Sequence, residues 1–86
     1  MSSKTQHAPL HSSIEVQKRL RKELIDYEGY LPGRYSSIVQ KRLNNQYSRL
    51  SIRQTKAGTT HISSILIELV LLAKEEYAKA NKALNS

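Results

Sequence analysis

Apolar residues recur along this chain at helical spacing in four separate segments. The first runs from Val16 to Tyr27, where apolar side chains return every three or four residues and predict a helix over 13–27. Ser12 and Glu15 have the spacing of a capping box, in which each side chain hydrogen-bonds the other residue's backbone amide. We therefore expect the helix to begin just after Ser12.

Turn residues follow the first helix and divide it from a second, shorter one. Gly29, Pro32 and Gly33 lie close together, and such clusters interrupt helices. Apolar spacing then predicts a helix that begins near Tyr35 and ends near Leu43. The chain therefore turns between its first two predicted helices.

The third segment, residues 47–55, admits two interpretations. Asn44 and Asn45 tolerate left-handed backbone and can end the second helix, while Ser48 suits the N-cap of a third helix over about 49–56. However, apolar and polar residues also alternate through "YSRLSIRQT", and alternation predicts a β-strand. The helix is the favoured prediction, and the strand stays open as its competitor.

The fourth segment is the longest and most apolar. Gly58 is expected to end the preceding helix, and a new one should run from residue 62 or 63 to about Ala80. Its apolar stripe consists of Ile62, Ile65, Leu66, Leu69, Val70 and Ala73. Ile67, Leu71 and Leu72 lie partly outside this stripe, so the helix is either central in the domain or uses a second face to form a homodimer. We favour the homodimer.

These segments predict an all-α fold, a small four-helix domain that contains a helix-turn-helix with an extended turn. The domain covers residues 12–80. Residues 1–11 are polar and lack periodicity, which is typical of a disordered arm, and residues 81–86 are expected to fray. With 86 residues in all, one domain with one modest core is expected.

The positive charge of the chain is concentrated in its centre. The net charge is +7, and no acidic residue lies between Glu28 and Glu68. The basic residues in that gap are Arg34, Lys41, Arg42, Arg49, Arg53 and Lys56. A localised positive field attracts polyanions, so the distribution favours nucleic-acid binding over a face kept positive only for solubility.

Several classes of protein are disfavoured by composition. There is no cysteine, and no Ser/His/Asp grouping, HExxH motif or glycine-rich phosphate loop is present, so we expect neither an enzyme nor a cofactor. His7 and His11 are spaced like a helical metal pair, but Pro9 lies between them, and we expect no metal site. The N-terminus lacks a signal peptide's apolar core, and the longest apolar run is interrupted by Glu68 and too short for a membrane span. We expect a soluble intracellular protein.

The central string "YLPGRYSSIVQKRLNNQYSRLSIRQTKAGTTHISSILIELVLLAKEE" adds a resemblance. Between Leu31 and Glu76 it is similar to small helix-turn-helix DNA-binding regulators of Bacteroidetes bacteria and their mobile elements, in which a brace helix precedes a recognition helix and an acidic, leucine-rich helix follows. Val39 stands where that family has a small residue, and "NNQ" replaces its turn glycine. Both departures are compatible with an extended turn.

The resemblance implies a set of DNA contacts. The candidate base-reading residues are Ser48, Arg49, Leu50, Arg53 and Gln54. The candidate phosphate contacts are Tyr35, Ser37, Lys41, Arg42, Tyr47 and Lys56. Arginine pairs with guanine and glutamine with adenine in the major groove, whereas phosphate contacts position the protein without reading sequence. For Leu50, a place in the core is an equal alternative to contact with a thymine methyl.

The function implied is sequence-specific binding of double-stranded DNA, by a transcriptional regulator or a mobile-element or phage accessory regulator in the bacterial cytoplasm at the nucleoid. The alternative is a protein-interaction module, antitoxin-like or a phage inhibitor, that uses the apolar face of the C-terminal helix. RNA binding through stacking on Tyr35 and Tyr47 is a third possibility. A ribbon-helix-helix regulator would need residues 47–55 to be a strand.

Overall fold

The computed structural model describes residues 14–85, and within this range the chain is all helical, with four α-helices and no strand. The helices are α1 (Ile14–Tyr27), α2 (Tyr35–Arg42), α3 (Arg49–Ala57) and α4 (Ser63–Asn85), and a 3-10 turn (Glu28–Tyr30) follows α1. The all-α four-helix prediction is confirmed. The strand alternative for residues 47–55 is wrong, because α3 occupies that segment.

The core is formed where the other helices pack on α4. Its fully or nearly fully buried apolar side chains come from all four helices: Leu24, Val39, Ile52, Ile65, Leu66, Leu69, Val70, Leu72 and Ala73. Every member of the predicted α4 stripe except Ile62 is buried, and Ile62 packs against the cluster while partly exposed. The periodicity of α4 therefore identified the face that the rest of the domain covers.

Leu72 does not belong to the exposed face to which the sequence analysis assigned it. Its side chain is 2% exposed and lies within the core, whereas Ile67 and Leu71 are 39% and 47% exposed. Leu72 is seven residues after Ile65, which is two helical turns, and three after Leu69. It therefore continues the buried stripe, and the prediction that it forms a dimer interface is wrong.

Local sequence determines how α2 ends and α3 begins and ends. Asn44 and Asn45 both adopt left-handed backbone, with φ of 57° and 59°, as predicted for this turn. The Ser48 hydroxyl accepts a hydrogen bond from the Ser51 amide at 3.1 Å and caps α3. Gly58, with φ of 92°, ends α3 in the left-handed conformation that glycine adopts without a Cβ clash.

The observed boundaries differ from the predicted ones mainly at the end of the chain. α4 continues to Asn85, beyond the predicted end near Ala80 and through most of the segment expected to fray. α2 and α3 end within one residue of their predicted ends. The arm at 1–11, the cap at Ser12 and the histidines His7 and His11 lie outside the described residues.

Candidate nucleic-acid interface

α2, the Asn turn and α3 form one packed unit. Val39 of α2 and Ile52 of α3 have no exposed surface and belong to the same core cluster. Thr55 is also fully buried, and its hydroxyl donates to the Ser51 carbonyl at 2.8 Å. Ile38 and Tyr47 pack against the cluster while partly exposed. These side chains form the inner side of the unit, so the opposite face of α3 is directed outward.

Three side-chain hydrogen bonds hold α3 at its two ends. The Gln40 amide donates to the Tyr47 carbonyl at 3.1 Å and closes the turn. The Ser64 hydroxyl donates to the Tyr47 phenol oxygen at 3.2 Å and ties the turn to α4. At the other end, the Arg21 guanidinium of α1 donates to the Lys56 carbonyl at 3.0 Å, where a cation also complements the helix dipole. α3 is therefore anchored from α1, α2 and α4.

The outer face of α3 contains four of the five candidate base-reading residues. Arg49, Leu50, Arg53 and Gln54 are all exposed. Leu50 is 60% exposed, so its alternative place in the core is wrong. Ser48, the fifth candidate, is also exposed, but its hydroxyl already serves as the cap. Arg49, Leu50 and Arg53 thus lie in the N-terminal part of α3, whereas Ser48 precedes the helix and Gln54 lies toward its C-terminal end.

Gln54 differs from its neighbours because it also organises the loop that follows α3. Its backbone carbonyl accepts hydrogen bonds from the amides of Gly58, Thr59 and Thr60 at 3.0 to 3.3 Å. Its side-chain oxygen accepts from the Thr60 hydroxyl at 3.5 Å. A bidentate pair with adenine uses that same oxygen as its acceptor. To contact adenine, the Gln54 side-chain oxygen would therefore have to accept a second hydrogen bond or give up the one from the Thr60 hydroxyl.

Four exposed cations of the segment 34–53 have no carboxylate partner within residues 14–82. They are Arg34, Lys41, Arg49 and Arg53, none of which forms an ion pair in that range. The Arg49 guanidinium has a long contact of 3.5 Å to the Ser37 hydroxyl, which places the two candidate contacts side by side. Unpaired guanidinium and ammonium groups on a convex helical unit are available to an external anion.

Arg42 is not available in this way, although it was predicted to contact phosphate. Its guanidinium forms two hydrogen bonds with the Glu75 carboxylate, at 2.7 and 3.2 Å, and lies 3.7 Å from Glu68. The hydrogen bond to Glu75 raises the pKa of Arg42, and the same bond lowers the pKa of Glu75. Arg42 therefore ties α2 to α4 through a bidentate ion pair.

The remaining predicted phosphate contacts are partly covered. Lys56 forms an ion pair with Glu28 at 3.5 Å, and its ammonium lies 5.6 Å from the centre of the Tyr35 ring. Tyr35, Ser37 and Tyr47 are half-buried. Of the six predicted phosphate contacts, Lys41 is thus the only one that is both exposed and free of an ion pair among the described residues.

Sequence reasoning missed two exposed residues of this surface. Ala57 follows Arg53 by four residues and Leu50 by seven, so it continues the outer ridge of α3, and it is exposed. Helical spacing would have identified it once α3 was extended by one residue. Arg34 was counted in the central charge but was not assigned a contact; it precedes α2 immediately, and this position marks it as a candidate phosphate contact.

No group of three or more His, Asp or Glu side chains comes together in the described part of the chain in a way that would hold a metal ion. None of the described helices has both the length and the apolar character needed to cross a membrane.

Comparisons of this chain with protein-family models, with curated proteins and with solved structures found no match. The resemblance to helix-turn-helix regulators thus stays a prediction.

Proposed function

We propose that this protein binds double-stranded DNA in a sequence-specific manner, with α2 and α3 acting as an extended-turn helix-turn-helix. In such units the first helix braces the second, and the N-terminal part of the second contacts base edges in the major groove. Here α2 would be the brace. The exposed N-terminal half of α3, which carries Arg49, Leu50 and Arg53, would enter the groove.

The observation that carries this proposal is the set of exposed, unpaired side chains on the α2–α3 unit. Arg34, Lys41, Arg49 and Arg53 are exposed without ion pairs in the described structure, whereas Arg42, Lys56, Lys74 and Lys79 each pair with a carboxylate. Other exposed cations also lack ion pairs in the described structure, namely Lys18, Arg19, Lys22 and Lys82. What supports DNA binding is that Arg49 and Arg53 are unpaired on the exposed face of α3, next to Leu50. Phosphate neutralisation by such cations supplies most of the non-specific affinity for DNA.

The composition of the α3 face supports sequence-specific readout in addition to charge. Arg49 and Arg53 can each pair bidentately with guanine, and Leu50 and Ala57 present apolar groups of the kind that contact thymine methyls. The combination of a leucine with two arginines on one short helix is what base readout in the major groove would use. We therefore expect an α3-contacted half-site that contains guanine and thymine.

A small DNA-binding domain without catalytic machinery fits a regulator. We propose a role as a transcriptional regulator or as an accessory regulator of a mobile element or phage, acting in the bacterial cytoplasm at the nucleoid. A homodimer through α4 is part of the proposal, since Ile67 and Leu71 expose apolar surface on its outer face. A dimer reads two half-sites about 34–36 Å apart and selects a palindrome.

Selection of bound sequences from a pool of random duplexes, at two salt concentrations, tests the proposal directly. Specific binding by a dimer would enrich a palindrome at both concentrations. Specific binding by a monomer would enrich a single half-site. If no sequence is enriched while affinity still falls steeply with salt, binding is only electrostatic and the assignment of α3 as a recognition helix is wrong.

A further inference from the structure

An apolar groove lies beside α1, apart from the outer face of α3. Ile14 and Ile25 stand on its α1 side and are 69% and 59% exposed, and Leu66 of α4 forms part of its lining while being only 3% exposed. The groove has a volume of ≈ 350 Å³. Two large aliphatic side chains exposed around a recessed leucine make a concave apolar surface that water covers unfavourably.

The charged side chains that line this groove are all cationic. Lys18, Arg21 and Lys22 lie between the two isoleucines along α1, and His61 is the other titratable group of the lining. No carboxylate lines the groove, and neither Lys18 nor Lys22 forms an ion pair with any described residue. The groove therefore presents apolar surface within a positive rim.

Arg21 gives a second, independent indication of an anionic ligand. One guanidinium nitrogen, Nη1, donates to the Lys56 carbonyl at 3.0 Å. The other, Nη2, is buried and has no hydrogen-bond acceptor among the described residues. A buried charged donor without an acceptor is costly. A carboxylate from a bound partner would supply the missing acceptor if the Arg21 side chain turned toward the groove.

Pairing of two α1 helices across this groove is unfavourable. Ile14 and Ile25 are three helical turns apart, about 16 Å. If two α1 helices paired antiparallel so that Ile14 met Ile25, Lys18 of one copy would face Arg21 of the other. Like charges placed directly opposite each other across an interface are strongly unfavourable. The rim therefore selects a partner of opposite charge.

We propose that this groove binds an acidic amphipathic helix of a partner protein. Its aliphatic residues, spaced over three turns, would lie between Ile14 and Ile25 above Leu66, and its flanking carboxylates would pair with Lys18, Lys22 and Arg21. Helix-in-groove recognition uses anchors at this spacing. The site is separate from the α3 surface, so it stands or falls independently of DNA binding.

A designed peptide tests this directly with the full-length protein. The probe is a fluorescein-labelled helix of about 18 residues, or about 27 Å, with leucines at i, i+4, i+7 and i+11 and mainly glutamate and alanine elsewhere. The matched control peptide has the same composition, with its leucines distributed around the helix. Fluorescence anisotropy should show saturable binding of the probe and at least about tenfold weaker binding of the control.

Variants of the protein locate the site. Ile25→Asn and Lys22→Glu should each weaken binding of the probe by about tenfold or more, since each removes one class of contact. Lys82→Glu makes the same charge change in the last turns of α4 and should alter binding by less than about twofold. Circular dichroism melting checks folding; both tested α1 side chains are exposed, so little stability should be lost.

Three results would overturn the proposal. Equal binding of the probe and its scrambled control, or equal loss in Lys22→Glu and Lys82→Glu, would mean that only net charge attracts the peptide. Displacement of the probe by an excess of duplex DNA would assign the rim to nucleic acid instead. If the probe still binds in the presence of excess duplex DNA and binds more weakly to the Ile25→Asn variant, a protein partner is supported.

Discussion

At the scale of single side chains, Arg42 and Arg53 show how one residue type takes two roles. Both lie in the acid-free centre of the sequence. Arg42 is held by Glu75 and Glu68, whereas Arg53 is exposed on α3 without an ion pair in the described structure. A guanidinium already bound to a carboxylate must break those bonds to contact DNA. The outward arginine is therefore the better candidate for base contact.

Arg53→Ala should weaken binding to the selected DNA site by roughly 1–3 kcal/mol and relax base preference at one position. The physical reason is the loss of a bidentate contact to a guanine edge. Affinities of the protein and the variant for the site and for single-base changes of it, measured at one salt concentration, check this. An unchanged preference at every position would show that Arg53 does not read a base.

Lys41→Ala should weaken binding to all duplexes alike, since an ammonium on a phosphate does not read sequence. The slope of log affinity against log salt should fall by about one unit. Lys82→Ala is the matched control, because it removes one exposed charge from the far end of α4. A salt slope that changes equally in both variants would contradict a local phosphate contact.

At the scale of the helices, the stability of α3 depends on its N-terminal cap more than on its length. It has only nine residues, and isolated helices of that size are marginal. The Ser48 hydroxyl, just outside the helix, accepts a hydrogen bond from the Ser51 amide in the first turn. The residue thus shapes the segment that carries the candidate base contacts.

Ser48→Ala should lower the free energy of unfolding by about 1 kcal/mol, because it removes the acceptor for an otherwise unpaired amide. Ser48→Gly should lower the free energy of unfolding by only roughly a few tenths of a kcal/mol, since glycine is a tolerable cap. Chemical denaturation without DNA separates this effect from any loss of DNA contact. Equal stability of the alanine variant and the unmodified protein would mean that the cap contributes nothing.

The ion pair between α2 and α4 makes a small, pH-dependent contribution to stability. Because its hydrogen bond with Arg42 lowers the pKa of Glu75, the folded state favours the ionised carboxylate. This contribution is fully present above the ordinary glutamate pKa of about 4.3 and is lost as pH falls through the lowered folded value. Both side chains are partly exposed, so it should stay below about 1 kcal/mol.

Glu75→Gln should therefore be less stable than the unmodified protein at pH 7, with the difference disappearing in strong acid. Denaturant titrations between pH 7 and pH 2 measure it. High salt should reduce the difference at pH 7, because partly exposed pairs are screened. A difference that persists unchanged at the lowest pH would show that the carboxylate charge is not its source.

How well each element could be predicted from sequence depends on how far apart in the chain its interacting residues lie. Asn44, Ser48 and Gly58 act on backbone within a few residues, so the turn, the cap and the helix end could be predicted from sequence. The Arg42–Glu75 pair joins residues 33 positions apart, and charge patterning alone made Arg42 a phosphate contact. Leu72 is different, because its helical spacing from Ile65 and Leu69 already indicates that it belongs to the buried stripe.

At the scale of the whole molecule, the open question is whether α4 also forms a dimer. With Leu72 in the core, the exposed large apolar side chains of α4 are Ile67 and Leu71. A stable dimer buries about 800 Å² on each partner. Two side chains do not supply that area, so a dimer would have to extend along the outer face of α4.

Ile67→Asn combined with Leu71→Asn should convert a dimer to a monomer while leaving the fold intact, since both residues are exposed. Light scattering after size exclusion, at several protein concentrations, gives the mass. DNA affinity should fall with dimerisation, because the second half-site is lost. A monomer at every concentration for the unmodified protein would exclude the α4 dimer and favour a single half-site.

Three tyrosine rings meet where the end of α1 and the 3-10 turn contact α4, and their fluorescence can be used to follow this protein in solution. The Tyr77 ring lies 5.2 Å from that of Tyr27 and 4.9 Å from that of Tyr30, both in edge-on geometry. The chain has five tyrosines and no tryptophan. Its near-ultraviolet emission therefore divides between this trio and the pair Tyr35 and Tyr47, which lies beside the proposed DNA surface. Tyrosine fluorescence can therefore be compared between the unmodified protein and a Tyr77→Leu variant. The part of the signal that depends on Tyr77 reports release of the C-terminal half of α4, and the remainder reports events at the α2–α3 unit, without any added label.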